Sequence, residues 1–250
     1  MFAPRPTPPK HASGDSTRTA LIDAATEVFI EEGFKAARVQ DIAARARVRL
    51  SAINYHFDSK EGLYLAVLQH HAAASVAHAP LLHPDTAAPL RERFDFFVRS
   101  LLTRLVDPHS PSRIAWLGVR ELTSPTAALD VIFIEFSLPQ TAQALALVRE
   151  IVGPAADDLI VFQATVSVLG QCLAYRVGQP LVERMYPGWY DAPDLVDRLG
   201  RQIADFSWAG LQAMARPADP PAPAATAASP PPAGPRPRRR PARPPKQETP

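Results

Sequence analysis

From Arg38 to Lys60 the chain reads RVQDIAARARVRLSAINYHFDSK, two short helical patterns separated by three residues. Val39, Ile42, Ala43 and Ala46 fall at i, i+3, i+4 and i+7, on one face of an α-helix that has to be buried. The turn Arg47-Val48-Arg49 keeps one apolar residue to plug the angle between helices. A second helix is predicted from Leu50 to about Phe57, with Leu50, Ile53 and Phe57 inward and Ser51, Ala52, Asn54 and Tyr55 outward. A helix entering a major groove ~12 Å wide must show short or hydrogen-bonding side chains to base edges and longer donors to the phosphates. Ser51 and Asn54 suit bases, Ala52 suits a thymine methyl, and Tyr55 and His56 stand where they can donate to phosphate oxygens. Asp58 and Glu61 have capping-box spacing, which sets Lys60 in the first turn of a further helix, where an ammonium and the helix dipole both favour a phosphate. Arg38, Arg45, Arg47 and Arg49 form a basic rim, with Gln40 beside it as a further candidate contact. Taken alone, the same pair could be a helical hairpin with a solvated basic face.

The residues before and after the pair are more specific. TALIDAATEVFIEEGFKAARVQDIAARARV, continued by INYHFDSKEGLYLAVL, resembles the N-terminal domain of the TetR-type (tetracycline-repressor-like) transcription regulators, from about Thr17 to Leu68. The resemblance implies a three-helix DNA-binding domain whose third helix is the reader and whose fourth links to a ligand-sensing body. Two positions depart from the family pattern: Arg47 stands where a glycine is usual in the turn, and Arg38 where a threonine or serine usually caps the first helix of the pair. An arginine at positive φ costs ~1 kcal/mol, and a missing cap about 0.5–2 kcal/mol. Both changes put a guanidinium on the DNA side.

With 250 residues, 46% of them apolar, the chain can hold a small domain and a larger one. The formal charge is +2, but Arg236, Arg238, Arg239, Arg240, Arg243 and Lys246 crowd the end, which leaves the rest slightly acidic. Bulk charge would not hold nucleic acid, so recognition falls to the local rim. Cys172 is the single cysteine, which excludes an internal disulfide and suits a reducing cytosol. The N-terminus has no apolar h-region, and no stretch reads as a membrane span of ~20 apolar residues, so a cytoplasmic protein with no membrane partner is expected. His56, His70 and His71 have no carboxylate or cysteine at ligand spacing, so no metal is expected. No nucleophile with a positioned base and no phosphate loop point to an enzyme, and no cofactor is expected.

In chain order, residues 1–15 read as a disordered arm and residues 16–60 as the helix-turn-helix domain, its first helix starting near Ser16 and capped by Gly33. Residues 61–216 read as an all-helical effector-binding and dimerisation domain, so the fold class is all-α. Ser124-Pro125 signals a helix start, and Pro139 must kink or restart the helix after it. Pocket candidates are the aromatics Phe94, Phe97, Trp116, Phe133 and Tyr175, which suit a core equally well, with Arg120 and Glu121 as ionic anchors or as an interhelical pair. The last two long helices interleave large and small apolar residues, among them Phe162, Val166, Gly170, Leu199, Ile203, Phe206 and Gly210, with more apolar surface than one small body can hide. RELTSPTAALD, then LGQCLAYR and IADFSWAGL, is similar to the C-terminal domain of one TetR branch, the cephalosporin- and chloramphenicol-response regulator. That similarity implies a homodimer held by a four-helix bundle, an internal effector pocket, and a repressor tied to efflux or drug sensitivity on a double-stranded operator. Activation in place of repression stays open, as does a helical small-molecule enzyme. Residues 217–250, rich in proline and arginine, read as a disordered tail.

Overall fold

The computed structural model describes residues 10–215, and every regular element in them is helical. The arm before Lys10 and the tail from residue 216 lie outside the described residues. Helix α1 (Lys10–Ala36) begins ahead of the expected start at Ser16, and it turns at Gly33, whose φ of 81° lies in the left-handed region. Helices α2 (Val39–Arg45), α3 (Ser51–Phe57) and α4 (Lys60–His78) follow. Leu21 and Phe29 of α1, Ile42 of α2, Ile53 of α3, and Leu63 and Val67 of α4 close a first core. Burying each such side chain contributes roughly 1.5–3 kcal/mol. This core does not stop at residue 60, since it runs along α4 to Ala72 and takes in Leu117 and Ile132 from the next helices.

The body consists of α5 (Leu90–Val106), α6 (Ile114–Thr123), α7 (Ala128–Ile132), α8 (Leu138–Val152), α9 (Asp158–Val177), α10 (Gln179–Met185) and α11 (Leu195–Ala215). Helix α7 starts at Ala128 and not at Ser124-Pro125, because Ser124 closes α6 and Thr126 is held by Glu121. A wide π-helical turn, Phe133–Ser137, joins α7 to α8, and α8 restarts at Leu138 with Pro139 in its first turn, as expected. The change of hydrogen-bond register there absorbs the missing N–H of Pro139. Helix α10 carries no periodic stripe and was not expected. Phe94, Phe97 and Leu102 of α5 pack with Val148, Val168, Cys172, Leu199 and Ile203 in a second core. Burial pushes the Cys172 thiol up to about 12, as suits an inert core residue.

Contrary to the expectation from sequence, two helical stretches, Ala128–Val152 and Asp158–Val177, are long and apolar enough to cross a membrane by length and composition alone. Their apolar residues are divided here between the core and outer faces. Helix α9 turns Val161, Ala164, Val168 and Cys172 inward and leaves Leu159, Phe162 and Val166 exposed.

Each of the three tryptophans meets an arginine: Trp116 lies 3.3 Å from Arg176, Trp189 4.7 Å from Arg198, and Trp208 5.4 Å from Arg91. Where α1, α4 and α6 meet, His71 joins them by polar contacts. The Arg113 N–H donates to its Nδ1 at 3.2 Å, so Nε2–H is the donor to Thr26 Oγ1 at 2.9 Å, and Thr26 in turn donates to the Ile22 carbonyl. Burial first, then the charges of His70 and Arg113, hold the imidazole down at about 4. The folded state therefore binds this proton less readily than the unfolded chain, whose histidine titrates near 6.5. The contribution is full above pH 6.5 and is lost as pH falls toward 4. We expect the unfolding free energy from urea titrations to drop over that window by roughly 2 kcal/mol after allowance for residual solvent screening, and His71→Gln to flatten that part of the profile.

Candidate nucleic-acid interface and effector cavity

Helix α3 presents Ser51, Asn54 and Tyr55 to solvent, with Tyr55 83% exposed, while Ala52 and His56 are half-buried. Ile53 and Phe57 anchor the opposite face in the first core. The rings of Tyr55 and His56 stand edge to face at 4.9 Å. Leu50, expected inward, is exposed, because the helix begins at Ser51 and Leu50 is its N-cap. Arg38 and Gln40 at the start of α2 are exposed, and Arg38 makes no capping hydrogen bond. Arg47 has a φ of 57°, so the left-handed turn is present with an arginine in it. Arg47 and Arg49 are exposed on the rim.

Arg45 is a correction to that rim. Its guanidinium makes two hydrogen bonds to Glu31 of α1, at 3.2 and 3.0 Å, which hold the Glu31 carboxyl below its ordinary range and ties α2 to α1. The cap of α4 is a second correction. Ser59 Oγ accepts from the Gly62 N–H at 3.0 Å, and Asp58, the expected cap, lies one residue outside with a φ of 63°. Lys60 opens α4 as expected; its ammonium sits 4.7 Å from the centre of the Phe34 ring and 3.4 Å from the Lys35 carbonyl. Gly62 is a residue that the sequence reading missed. A Cβ there would lie 2.1 Å from the Phe57 carbonyl oxygen, so only glycine lets α4 start directly against the end of α3. The signal available was a glycine in the first turn of an otherwise apolar-periodic helix.

A cavity of about 320 Å³ opens among α4, α5, α6, α8 and α9 and the turn that precedes α8. Of the expected pocket residues only Glu121 lines it. Its buried carboxylate accepts from Tyr64 OH at 2.7 Å, from the Thr126 N–H at 3.0 Å and from the Thr126 hydroxyl at 3.2 Å. Burial and this bond together raise the Tyr64 phenol above its ordinary range. Arg120 points elsewhere, donating to the Ile30 and Glu31 carbonyls at 2.6 and 3.3 Å, just before the bend at Gly33. Phe94 and Phe97 are sealed in the second core in the first half of α5, where Phe94 meets Trp208 of α11, while Leu101, Arg104 and Leu105, on the same face further along the helix, line the cavity. Trp116 is half-exposed under Arg176, Phe133 is exposed on the π turn, and the Tyr175 carbonyl accepts from Tyr190 OH at 2.5 Å. None of these three lines the cavity. Arg104, buried beside it, was passed over because a single arginine in LLTRLV reads as a solvated head group.

Of the expected contact residues between copies, Phe162, Val166, Gly170, Phe206 and Gly210 face outward, with Phe206 69% exposed. Leu199 and Ile203 do not: they are nearly fully buried in the second core. Along α11 they share a face with Ser207 and Leu211, offset from that of Phe206 and Gly210. Gln171 donates to Ser207 at 3.0 Å and joins the two helices.

A two-helix reader on a small helical head, followed by a helical body around a cavity, is the build of a ligand-sensing transcription regulator. Residues 21–67 match the family profile described as bacterial regulatory proteins, tetR family, and residues 90–211 match the C-terminal domain of the HTH-type transcriptional dual regulator CecR. The chain belongs to the TetR family of transcription regulators, and it is not an enzyme. It is 29% identical over 187 residues to the dual regulator CecR of Shigella flexneri, covering 70% of this chain and 82% of that one. Over 57 residues it is 49% identical to the transcriptional activator FasR of Mycolicibacterium smegmatis, covering 23% and 26% of the two chains. The fold is shared with the regulator FadR of Bacillus subtilis in complex with stearoyl-CoA, at a TM-score of 0.59 and 18% identity, covering 77% of this chain and 98% of that one.

Proposed function

We propose that this regulator is a ligand-released repressor that acts as a homodimer on a palindromic operator, with double-stranded DNA on α3 and a small-molecule effector in the cavity of the body. The observation that carries the coupling is Glu121: one carboxylate lines the cavity and also accepts the hydroxyl hydrogen of Tyr64, a residue of the head core. On the same helix Arg120 holds the end of α1. An effector that displaces α6 therefore acts on both the hydrogen bond and the clamp, and a difference of about 1–3 kcal/mol between two states is sufficient for regulation. The outward apolar faces of α9 and α11 support the dimer, which would space two reader helices ~34 Å apart or somewhat more on DNA. Resemblance of the body to the cephalosporin- and chloramphenicol-response branch supports efflux or drug-response genes as targets, and a regulator of chromosomal genes works in the cytoplasm.

The DNA contacts are proposed as Arg38, Gln40, Arg49, Ser51, Ala52, Asn54, Tyr55, His56 and Lys60. The test is binding to DNA from upstream of the protein's own gene at two salt concentrations, with unrelated DNA as competitor. A competitor-resistant shift that protects a palindrome is expected, with affinity falling steeply with salt. Tyr55→Phe and Lys60→Ala should weaken binding to all sequences about equally, whereas Asn54→Ala should change preference at one base position by about 1–3 kcal/mol. A Lys60 variant that shifted preference while Asn54→Ala did not would reverse the assigned orientation of α3. A reporter fused to the protected promoter decides the sign: expression that falls on deletion of the regulator would make it an activator.

A further inference from the structure

Two buried cations of the body, Arg104 and Arg176, have no carboxylate partner among the described residues; Arg176 lies against the Trp116 ring and does not line the cavity, whereas Arg104 does. Arg104 of α5 is 7% exposed, and its Nε donates to the Ala79 carbonyl at 2.6 Å while Nη1 donates to the Gln140 side-chain oxygen. Both acceptors are neutral, and Nη2 has no hydrogen bond among the described residues. Burial lowers the guanidinium to about 10, with no anion offsetting it, and it is still charged at neutral pH. Ser75 of α4 is 1% exposed, and its Oγ has no hydrogen-bond partner. Arg104 and Ser75 line the same cavity. The other buried charge there is Glu121, whose oxygens are taken up by Tyr64 and Thr126. Much of the remaining wall is aliphatic, including Leu101, Leu105, Leu169 and Leu173. An uncompensated buried charge and an orphaned hydroxyl in one cavity each call for a partner, and a carboxylate answers both.

We propose that the cavity binds a monocarboxylate with a compact apolar body, its carboxylate on Arg104 and Ser75 and its apolar part among the leucines of α5 and α9. This rests on the cavity being the effector site. About 320 Å³ accommodates on the order of ten non-hydrogen atoms at ~30 Å³ each.

The probes are octanoate, octan-1-ol and octylamine, which share an alkyl chain and differ in head group, titrated calorimetrically into the full-length protein. Octanoate is expected to bind at least about tenfold more tightly than octanol, and octylamine not measurably. Ser75→Ala removes a hydroxyl that bonds nothing in the fold, so it should leave stability and octanol binding unchanged while weakening octanoate several-fold. Arg104→Met, checked for its fold by circular dichroism, should erase the preference for the acid, and Arg104→Lys should keep part of it. Equal binding of acid and alcohol by the unaltered protein, no binding of any probe, or a preference that survives in Arg104→Met would overturn the carboxylate site. Release of operator DNA is scored separately. Arg104-dependent octanoate binding without any change in DNA affinity would keep the anion site and remove the cavity from the regulatory reading, and DNA release by octanol as readily as by octanoate would do the reverse.

Discussion

Alanine at position 62 is expected to unfold the head and abolish operator binding. The Cβ of that alanine would stand 2.1 Å from the Phe57 carbonyl oxygen, a backbone atom that no rotamer change can move away. To relieve the overlap, α4 must slide off the end of α3. That breaks the hydrogen bond from the Gly62 N–H to Ser59 and shifts the reader against the core that Phe57 and Leu63 share. The loss should be about 3 kcal/mol or more, at the upper end of overpacking effects. Operator affinity should fall by roughly 100-fold or beyond, since holding α3 in register would then draw about 3 kcal/mol from binding and 1.4 kcal/mol is a factor of ten. Thermal melts followed by circular dichroism and a binding isotherm on the operator measure both. Ser59→Ala is the control, removing only the cap at a cost of about 1 kcal/mol with the reader left in place. A Gly62→Ala protein that melts and binds like the original would mean that α3 and α4 do not meet as described.

The second large effect is expected at Phe206. Its side chain stands outside the monomer's core on α11, and Phe162 and Val166 are likewise exposed on α9. In a two-fold assembly each such side chain is buried twice, at roughly 1.5–3 kcal/mol each. Phe206→Asp removes that burial and places a carboxylate with no partner in the contact, so the dimer constant should weaken by at least ~10²- to 10⁴-fold. Sedimentation velocity should show monomers at concentrations where the original chain is expected to form the proposed dimer, with helicity unchanged and operator binding lost. The matching change at Leu199, on the face buried in the second core, should instead lower helicity and stability. A Phe206→Asp protein that stays dimeric on DNA would show that another surface joins the copies.

These contrasts show what kind of information the sequence holds. The helix-turn-helix was legible because everything that defines it is local: Ile42 and Ala43 at helical spacing, a three-residue turn, and Ile53 and Phe57 on one face of α3. The left-handed turn at Arg47 and the uncapped start at Arg38 followed from the resemblance to the TetR pattern, in which a glycine and a hydroxyl cap are usual at those positions. Small shifts in register were not legible. Ser59 and Asp58 are both good caps, and Leu50 needs only to fall one residue before α3 to turn outward.

The cavity was harder still, because which stretch of a body helix becomes wall and which becomes core depends on neighbours far along the chain. Phe94 and Phe97 are core because α11, a hundred residues later, lies across them. Arg120 and Glu121 are adjacent in sequence, yet one step of 100° sends the first to α1 and the second to the cavity. Leu199 and Ile203 belong to the same amphipathic helix as Phe206, and only the packing of α11 on α5 tells the two faces apart.

The placement of the tryptophans has an optical consequence. The first core contains no indole, and each of the three indoles lies near a guanidinium that is lost as a neighbour on unfolding. Trp189 and Trp208 pack against the second core, whereas Trp116 stands on α6, which also enters the first, so emission excited at the red edge of the protein spectrum reports chiefly on the body and the helix that joins it to the head. Melting one unaltered sample with fluorescence and ellipticity recorded together therefore distinguishes loss of the second core from loss of helix elsewhere, without a label on either.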